Sequence, residues 1–130
     1  MNLINPDTLA AINIWMEARG EPYEGQVAVG EVMRNRLANG SFGHNLQSII
    51  LAPYQFSGWN TTSNERIAAF SLDDADPVYQ QCLKAWLEST NTAFAKGALF
   101  YYNPSIVSLP PDWAVPIHLT ATIGHHQFYS

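Results

Sequence analysis

Positive charge is what this chain has least of. Six Lys and Arg residues are scattered among eleven Asp and Glu, leaving a net charge of −5 over 130 residues. Binding a phosphate backbone needs clustered cations, so no nucleic-acid partner is expected, and an anionic membrane surface is disfavoured too. Cysteine is almost missing: Cys82 stands alone, so no internal disulfide can form and folding needs no oxidising compartment. Because Cys82 lies in an apolar helical stretch beside Val78, Leu83 and Trp86, it reads as a buried structural thiol and not a nucleophile. No apolar run approaches the roughly 18 residues of a membrane span, which excludes insertion by a long helix. The N-terminal stretch lacks a basic segment followed by an apolar one, and Asp7 and Glu17 interrupt it, so a cleaved signal peptide is not expected. Repeats, linkers and low-complexity tracts are absent, as are nucleotide motifs and a Gly-x-Ser-x-Gly elbow.

What is present is apolar and aromatic. Hydrophobic residues make up 47% of the chain and charged ones 13%, a balance that excludes disorder. The length suits one domain, residues 1–130, burying roughly two thirds of the surface that its unfolded form exposes. Four Trp, six Tyr and six Phe supply rings for a core or for stacking on a ligand.

Helix signals dominate the first two thirds. Asn5-Pro6-Asp7-Thr8 starts a helix with Asp7 or Thr8 as its cap, and Leu9, Ile12 and Met16 form its core stripe. Gly20 is expected to end it in the left-handed conformation, with Pro22 in the first turn of the next helix. That second helix, from Pro22 or Tyr23 to Leu37, is apolar on most sides across Gln26–Met33 and should be central and buried. Asn39-Gly40 stops it, and a short helix around Leu46–Leu51 follows. The aromatic and amide-rich stretch Tyr54–Asn60 suits a groove wall. Asp76-Pro77 opens a helix to about Ser89, whose pairs Val78/Tyr79, Cys82/Leu83 and Trp86/Leu87 repeat every four residues for packing. Gly97–Pro104 and Thr122–Tyr129 read as two strands able to pair. Between them, Pro104, Pro110, Pro111 and Pro116 predict a fixed irregular loop around Trp113.

Glu17 carries the chemistry. It falls in the last turn of the first helix, where the negative end of the helix dipole and apolar neighbours disfavour its charge, so its pKa is expected to rise. A carboxylic acid protonated near neutrality can protonate a sugar oxygen as it leaves. The alternative is an ion pair of Glu17 with Arg19 or Arg36 that only tethers two helices. Glu21, four residues on, reads as a turn residue and only weakly as a second catalytic group.

Five ordered stretches, Glu17-Ala18-Arg19-Gly20-Glu21-Pro22 with Gly25-Gln26-Val27-Ala28-Val29, Asn35-Arg36, Gln55-Phe56-Ser57, Tyr101-Tyr102-Asn103-Pro104 and Ile123–Tyr129, resemble the SleB-type cell-wall hydrolase family. The resemblance implies a lysozyme-like α+β fold, mainly helical with a small antiparallel β element. It also implies cleavage of the β-1,4 bond between N-acetylmuramic acid and N-acetylglucosamine in peptidoglycan glycan strands, as a lytic transglycosylase with Glu17 as acid/base and no cofactor. Such an enzyme uses the muramic hydroxymethyl group as nucleophile and needs one protein carboxylate, whereas the usual hydrolytic schemes need two. From resemblance and chemistry together, Gln55 and Ser57 are expected to bond substrate amides or the Glu17 carboxyl, and Tyr101, Tyr102 and Asn103 to line the cleft. Trp59 and Trp113 are candidates for sugar stacking, and Arg36 for a structural role anchoring Glu21. Met16 departs from the small residue usual before the family's glutamate. A minimal lysin without leader or wall-binding module suggests a monomeric phage endolysin, made in the host cytoplasm and released through a holin.

Three other readings compete. A hydrolytic muramidase would use the same acid. A metal-dependent amidase would recruit His44, His118, His125 and His126, but the spacing is poor for zinc, because adjacent His125 and His126 on a strand point to opposite faces. A glycan-binding module would use the same aromatics and amides without turnover.

Overall fold

The first helix begins where Asn5 accepts hydrogen bonds from the amides of Asp7 and Thr8, with Pro6 pre-set for its first turn. The cap is thus Asn5. Asp7 is drawn away to accept from the Trp86 indole at 2.8 Å, and Thr8 gives only its amide. The structure, a computed structural model, describes residues 5–52, 68–69 and 71–130. Its helices are α1 (Pro6–Ala18), α2 (Tyr23–Asn39), α3 (Leu46–Ile50) and α4 (Pro77–Glu88), followed by the strands β1 (Phe100–Tyr102), β2 (Leu119–Ile123) and β3 (His126–Tyr129).

The apolar stripe expected on α1 is wider than one face: every residue from Leu9 to Trp15 is buried. Three helices surround it, since α1 packs most extensively on α4 and also touches α2 and α3. On α2 the run Gly25–Met33 is buried without a break, so this is the central helix that its sequence indicated. It stops at Gly40, whose φ of 83° places it in the left-handed region and whose amide caps the Arg36 carbonyl.

Gly20 does not play that part. Its φ lies outside the left-handed range, and α1 ends through an ordinary right-handed Arg19. The turn closes instead by the Glu21 amide bonding the Ala18 carbonyl at 3.0 Å. Pro22, extended, then serves as the residue preceding α2.

Asp76 caps α4 through the amides of Val78 and Tyr79. Only part of each apolar pair faces inward: Tyr79, Cys82 and Trp86 are buried, while Val78 and Leu87 are exposed. Arg34 of α2 closes the α2–α4 seam, donating to Ser89 Oγ at 2.7 Å and the Trp86 carbonyl at 2.8 Å. Its guanidinium lies 3.6 Å from the Trp86 ring centre.

The sheet has the order β1-β3-β2, antiparallel throughout. Thr122–Tyr129 is therefore not one strand but the end of β2, a two-residue turn at Gly124-His125, and β3. Gly124, with φ 58°, occupies the first central position of that turn, where a hairpin favours glycine. Strand alternation gives the sheet two faces. Tyr101, His126 and Phe128 meet on one, with ring centres 5.1 to 6.2 Å apart. Phe100, Tyr102 and Tyr129 gather around Trp113 on the other.

Candidate active site

Glu17 is the penultimate residue of α1 and is half-buried. Two partners from other elements sense its charge. Arg36, from the last turn of α2, is 5% exposed and donates through Nε to the Leu99 carbonyl at 2.6 Å. Its guanidinium rests over Phe42 and Phe100. Burial lowers the pKa of Arg36, while Tyr101 and Glu17 act in the opposite sense. Arg36 thus belongs beside Glu17 and the strand entrance, and does not anchor Glu21 as the sequence suggested. Arg19, the other partner considered for Glu17, turns back to bond the Trp15 carbonyl at 3.0 Å and covers the Trp15 ring.

Tyr101 arrives from β1 with its hydroxyl buried. Burial first, and then the negative charge of Glu17, push its phenol well above the ordinary range against the pull of Arg36. A carboxyl group, a neutral phenol and a cation are therefore assembled from a helix end, a strand and a second helix. Such a set can hold a carboxyl proton, move it to a leaving oxygen and take one back.

The turn after Glu17 is fixed by Gln26 and Glu21. Gln26, 1% exposed, directs its amide at the carbonyls of Arg19 and Glu21, both at 3.4 Å, and accepts from Gln81 of α4 at 3.2 Å. Glu21 meets the hairpin. Its Oε1 accepts from the His125 amide at 2.6 Å, and its Oε2 lies 2.8 Å from His125 Nδ1. His126 Nδ1 is 3.9 Å from Oε1, outside hydrogen-bond distance. Both imidazoles thus approach one carboxylate, contrary to the opposite-face expectation, because His125 sits in the turn and only His126 in the strand. Burial raises the Glu21 pKa, but the His125 bonds and the nearby histidines outweigh it and hold the carboxyl below its ordinary value. Burial depresses His126, with Glu21 opposing.

A second buried carboxylate, Glu31 of α2, accepts from Thr92 Oγ1 at 2.5 Å and from the amides of Phe94 and Ala95 at 3.0 and 2.8 Å. It ties the segment leading into β1 to the central helix. Sequence gave no sign of this beyond a charged residue inside an apolar run, which is itself a usable signal.

The other expected site residues separate. Tyr102 points to the far face of the sheet, edge-on to Trp113 at 5.6 Å. Trp113 has one face covered by Phe100 at 5.0 Å. Asn103 shapes its own turn, accepting from the Ser105 amide at 2.9 Å and hydroxyl at 2.5 Å. Gln55, Ser57 and Trp59 lie outside the described residues. Among the described residues, no group of three or more His, Cys, Asp or Glu side chains is arranged to hold a metal, and no helix is long and apolar enough to cross a membrane.

Residues 20–129 match the model of a family described as Cell Wall Hydrolase. The spore cortex-lytic enzyme of Bacillus subtilis (strain 168) is 32% identical over 124 residues, 95% of this chain and 37% of the relative. That of Oceanobacillus iheyensis is 33% identical over the same share of this chain and 41% of its own length. The chain thus spans about two fifths of these relatives. Among solved structures, the catalytic domain of the Bacillus cereus SleB protein superposes with a TM-score of 0.77 at 29% identity, covering 98% of this chain and 91% of that one. The catalytic domain of a germination-specific lytic transglycosylase, SleB from Bacillus anthracis, gives 0.77 at 28% identity, covering 96% and 93%. The arrangement of helices and small sheet is the lysozyme-like α+β fold that the sequence motifs implied.

Proposed function

Since the chain belongs to the Cell Wall Hydrolase family, we propose that it degrades peptidoglycan by cleaving the β-1,4 bond from N-acetylmuramic acid to N-acetylglucosamine, as a lytic transglycosylase with Glu17 as acid/base. One observation carries this reading: a half-buried helix-end carboxyl whose charge acts on both a buried phenol and a buried guanidinium. The family match begins three residues beyond Glu17, so the role of Glu17 rests on that geometry and on the motif around it.

In the proposed reaction Glu17 gives its proton to the glycosidic oxygen as the bond to the muramic anomeric carbon breaks. The resulting carboxylate then takes the proton of that sugar's hydroxymethyl group, whose oxygen attacks the same carbon. A 1,6-anhydro end forms and no water is consumed. Arg36 steadies the carboxylate phase, and the Tyr101 phenol stays neutral throughout. One carboxylate suffices, in keeping with Glu21 and Glu31 being engaged by the hairpin and by the 92–95 segment. Tyr102, Asn103 and Trp113, with Gln55, Ser57 and Trp59, are the proposed sugar contacts, and residues 1–130 act as a single monomeric domain without a cofactor.

Mass spectrometry of muropeptides released from purified peptidoglycan tests this. Wild type should yield anhydro-muramic ends, and Glu17→Gln should lower kcat by about 10²- to 10⁴-fold, the span of general acid–base catalysis. Reducing ends would instead make it a hydrolytic muramidase. Release of peptides with intact glycan, abolished by a chelator, would make it a metal-dependent amidase, and binding without any product a glycan-binding module. We extend the proposal to an endolysin: expression with a holin should lyse a susceptible host, and expression alone should not.

A further inference from the structure

Two-carboxylate glycosidases place their acidic groups roughly 5–10 Å apart, and Glu21, four residues past Glu17, invites comparison with such a partner. Its surroundings argue otherwise. The side chain is 9% exposed, and both oxygens are taken by His125, through its amide and through Nδ1. A methyl group at Gly124 would stand 2.5 Å from Oε1, so the hairpin backbone closes over the carboxylate. A carboxylate so covered, with each oxygen already engaged, is poorly placed to activate a water or to approach a sugar carbon.

Its position has a different use. On one side the Glu21 amide bonds the carbonyl of Ala18, next in the chain to Glu17. On the other its side chain grips the β2–β3 turn, from which His126 and Phe128 extend to pack on Tyr101. Tyr101 in turn senses Glu17. One residue thus connects the helix half of the site to the sheet half. We infer that Glu21 is a positioning residue: its carboxylate ties the β2–β3 hairpin to the α1–α2 turn and so sets Tyr101 against Glu17, taking no part in bond making.

The activity arm of the test rests on the glycan-cleavage reading above; the spectroscopic arm does not. Glu21→Gln keeps an oxygen for the His125 amide, and its own amide can donate to His125 Nδ1 in the Nε2–H tautomer. It should hold kcat within about tenfold of wild type, the scale of one weakened hydrogen bond. Glu21→Ala releases the hairpin and should lower kcat by about 10²-fold with KM little changed, as misplacement of a reacting group by about 1 Å does. In histidine-detected NMR, His126 should titrate at lower pH in Glu21→Gln, because the carboxylate that supported its charge is gone. A Glu21→Gln variant as inactive as Glu17→Gln, with unchanged melting temperature, would put Glu21 in the chemistry and overturn the inference. Wild-type kcat in a folded Glu21→Ala, or an unshifted His126 titration in Glu21→Gln, would overturn it as well. Should Glu21→Ala not fold, the Gln variant decides by both readouts. If wild type releases no glycan product, the glycan-cleavage reading fails and the His126 titration alone decides this one.

Discussion

A single methyl group separates two glycines that look alike in the sequence. At Gly124 an added Cβ would meet Glu21 Oε1 at 2.5 Å and Pro22 Cδ at 2.7 Å, on a backbone already at φ 58°. Gly124→Ala should therefore destabilise by about 1–3 kcal/mol, the range for strained backbone, and lower the thermal midpoint accordingly. At Gly20 the same methyl meets nothing within 4 Å and the φ is outside the left-handed range. Gly20→Ala should leave the midpoint unchanged or raise it by up to roughly 1 kcal/mol equivalent, through the unfolded chain's lost freedom. A midpoint that fell sharply for Gly20→Ala would return that residue to the helix-stopping role its sequence suggested. Glycine between two periodic segments looks like punctuation wherever it occurs, and only the three-dimensional neighbours distinguish a turn that needs it from one that does not.

Among the elements, those with a local cause were readable and those with a distant one were not. Asp76-Pro77 was legible as a cap because a carboxylate and a first-turn proline act within four residues. Its two bonds, at 2.9 and 3.0 Å, lead to the expectation that Asp76→Ala costs about 1 kcal/mol in denaturant unfolding, with unchanged slope. An effect below a few tenths would mean that α4 is held by its packing alone. The central character of α2 and the stop at Gly40 were equally local. By contrast, the split of Thr122–Tyr129 into two strands depends on what lies beneath Gly124, namely Glu21, more than a hundred positions earlier in the chain. Long separation likewise hid the pairing of Glu21 with His125, 104 positions apart, and of Arg36 with the Leu99 carbonyl, 63 apart. At the candidate site, Glu17 and Tyr101 stood out by chemistry and motif, and the turning of Tyr102 away from Tyr101 was implicit in reading Gly97–Pro104 as a strand, whose successive side chains alternate; the packing of Tyr102 against Trp113 was not.

At the scale of the whole molecule, two groups among the described residues, His126 and Glu21, make stability depend on acidity. His126 is buried with its folded pKa depressed, so the unfolded chain binds its proton first, and stability falls as pH drops below the ordinary histidine value of about 6.5. Glu21 is held below its ordinary carboxyl value, so its contribution is complete above about 4.3 and is lost as pH falls through its folded pKa. Calorimetry should then show a melting temperature that declines in two stages on acidification, the upper stage removed by His126→Gln. A midpoint independent of pH between 7 and 5 would contradict a buried, neutral His126.

The strand in the middle of the sheet is also the one made last: β3, hydrogen-bonded on both edges, follows β1 and β2 in the chain. While a ribosome adds residues at roughly 5–20 per second, β1 waits without a neighbour, Tyr101 has neither His126 nor Phe128 to lean on, and the Glu21 carboxylate faces water. Translation order thus imposes an interval on the nascent chain, during which the helices can gather but the surroundings of Glu17 stay incomplete.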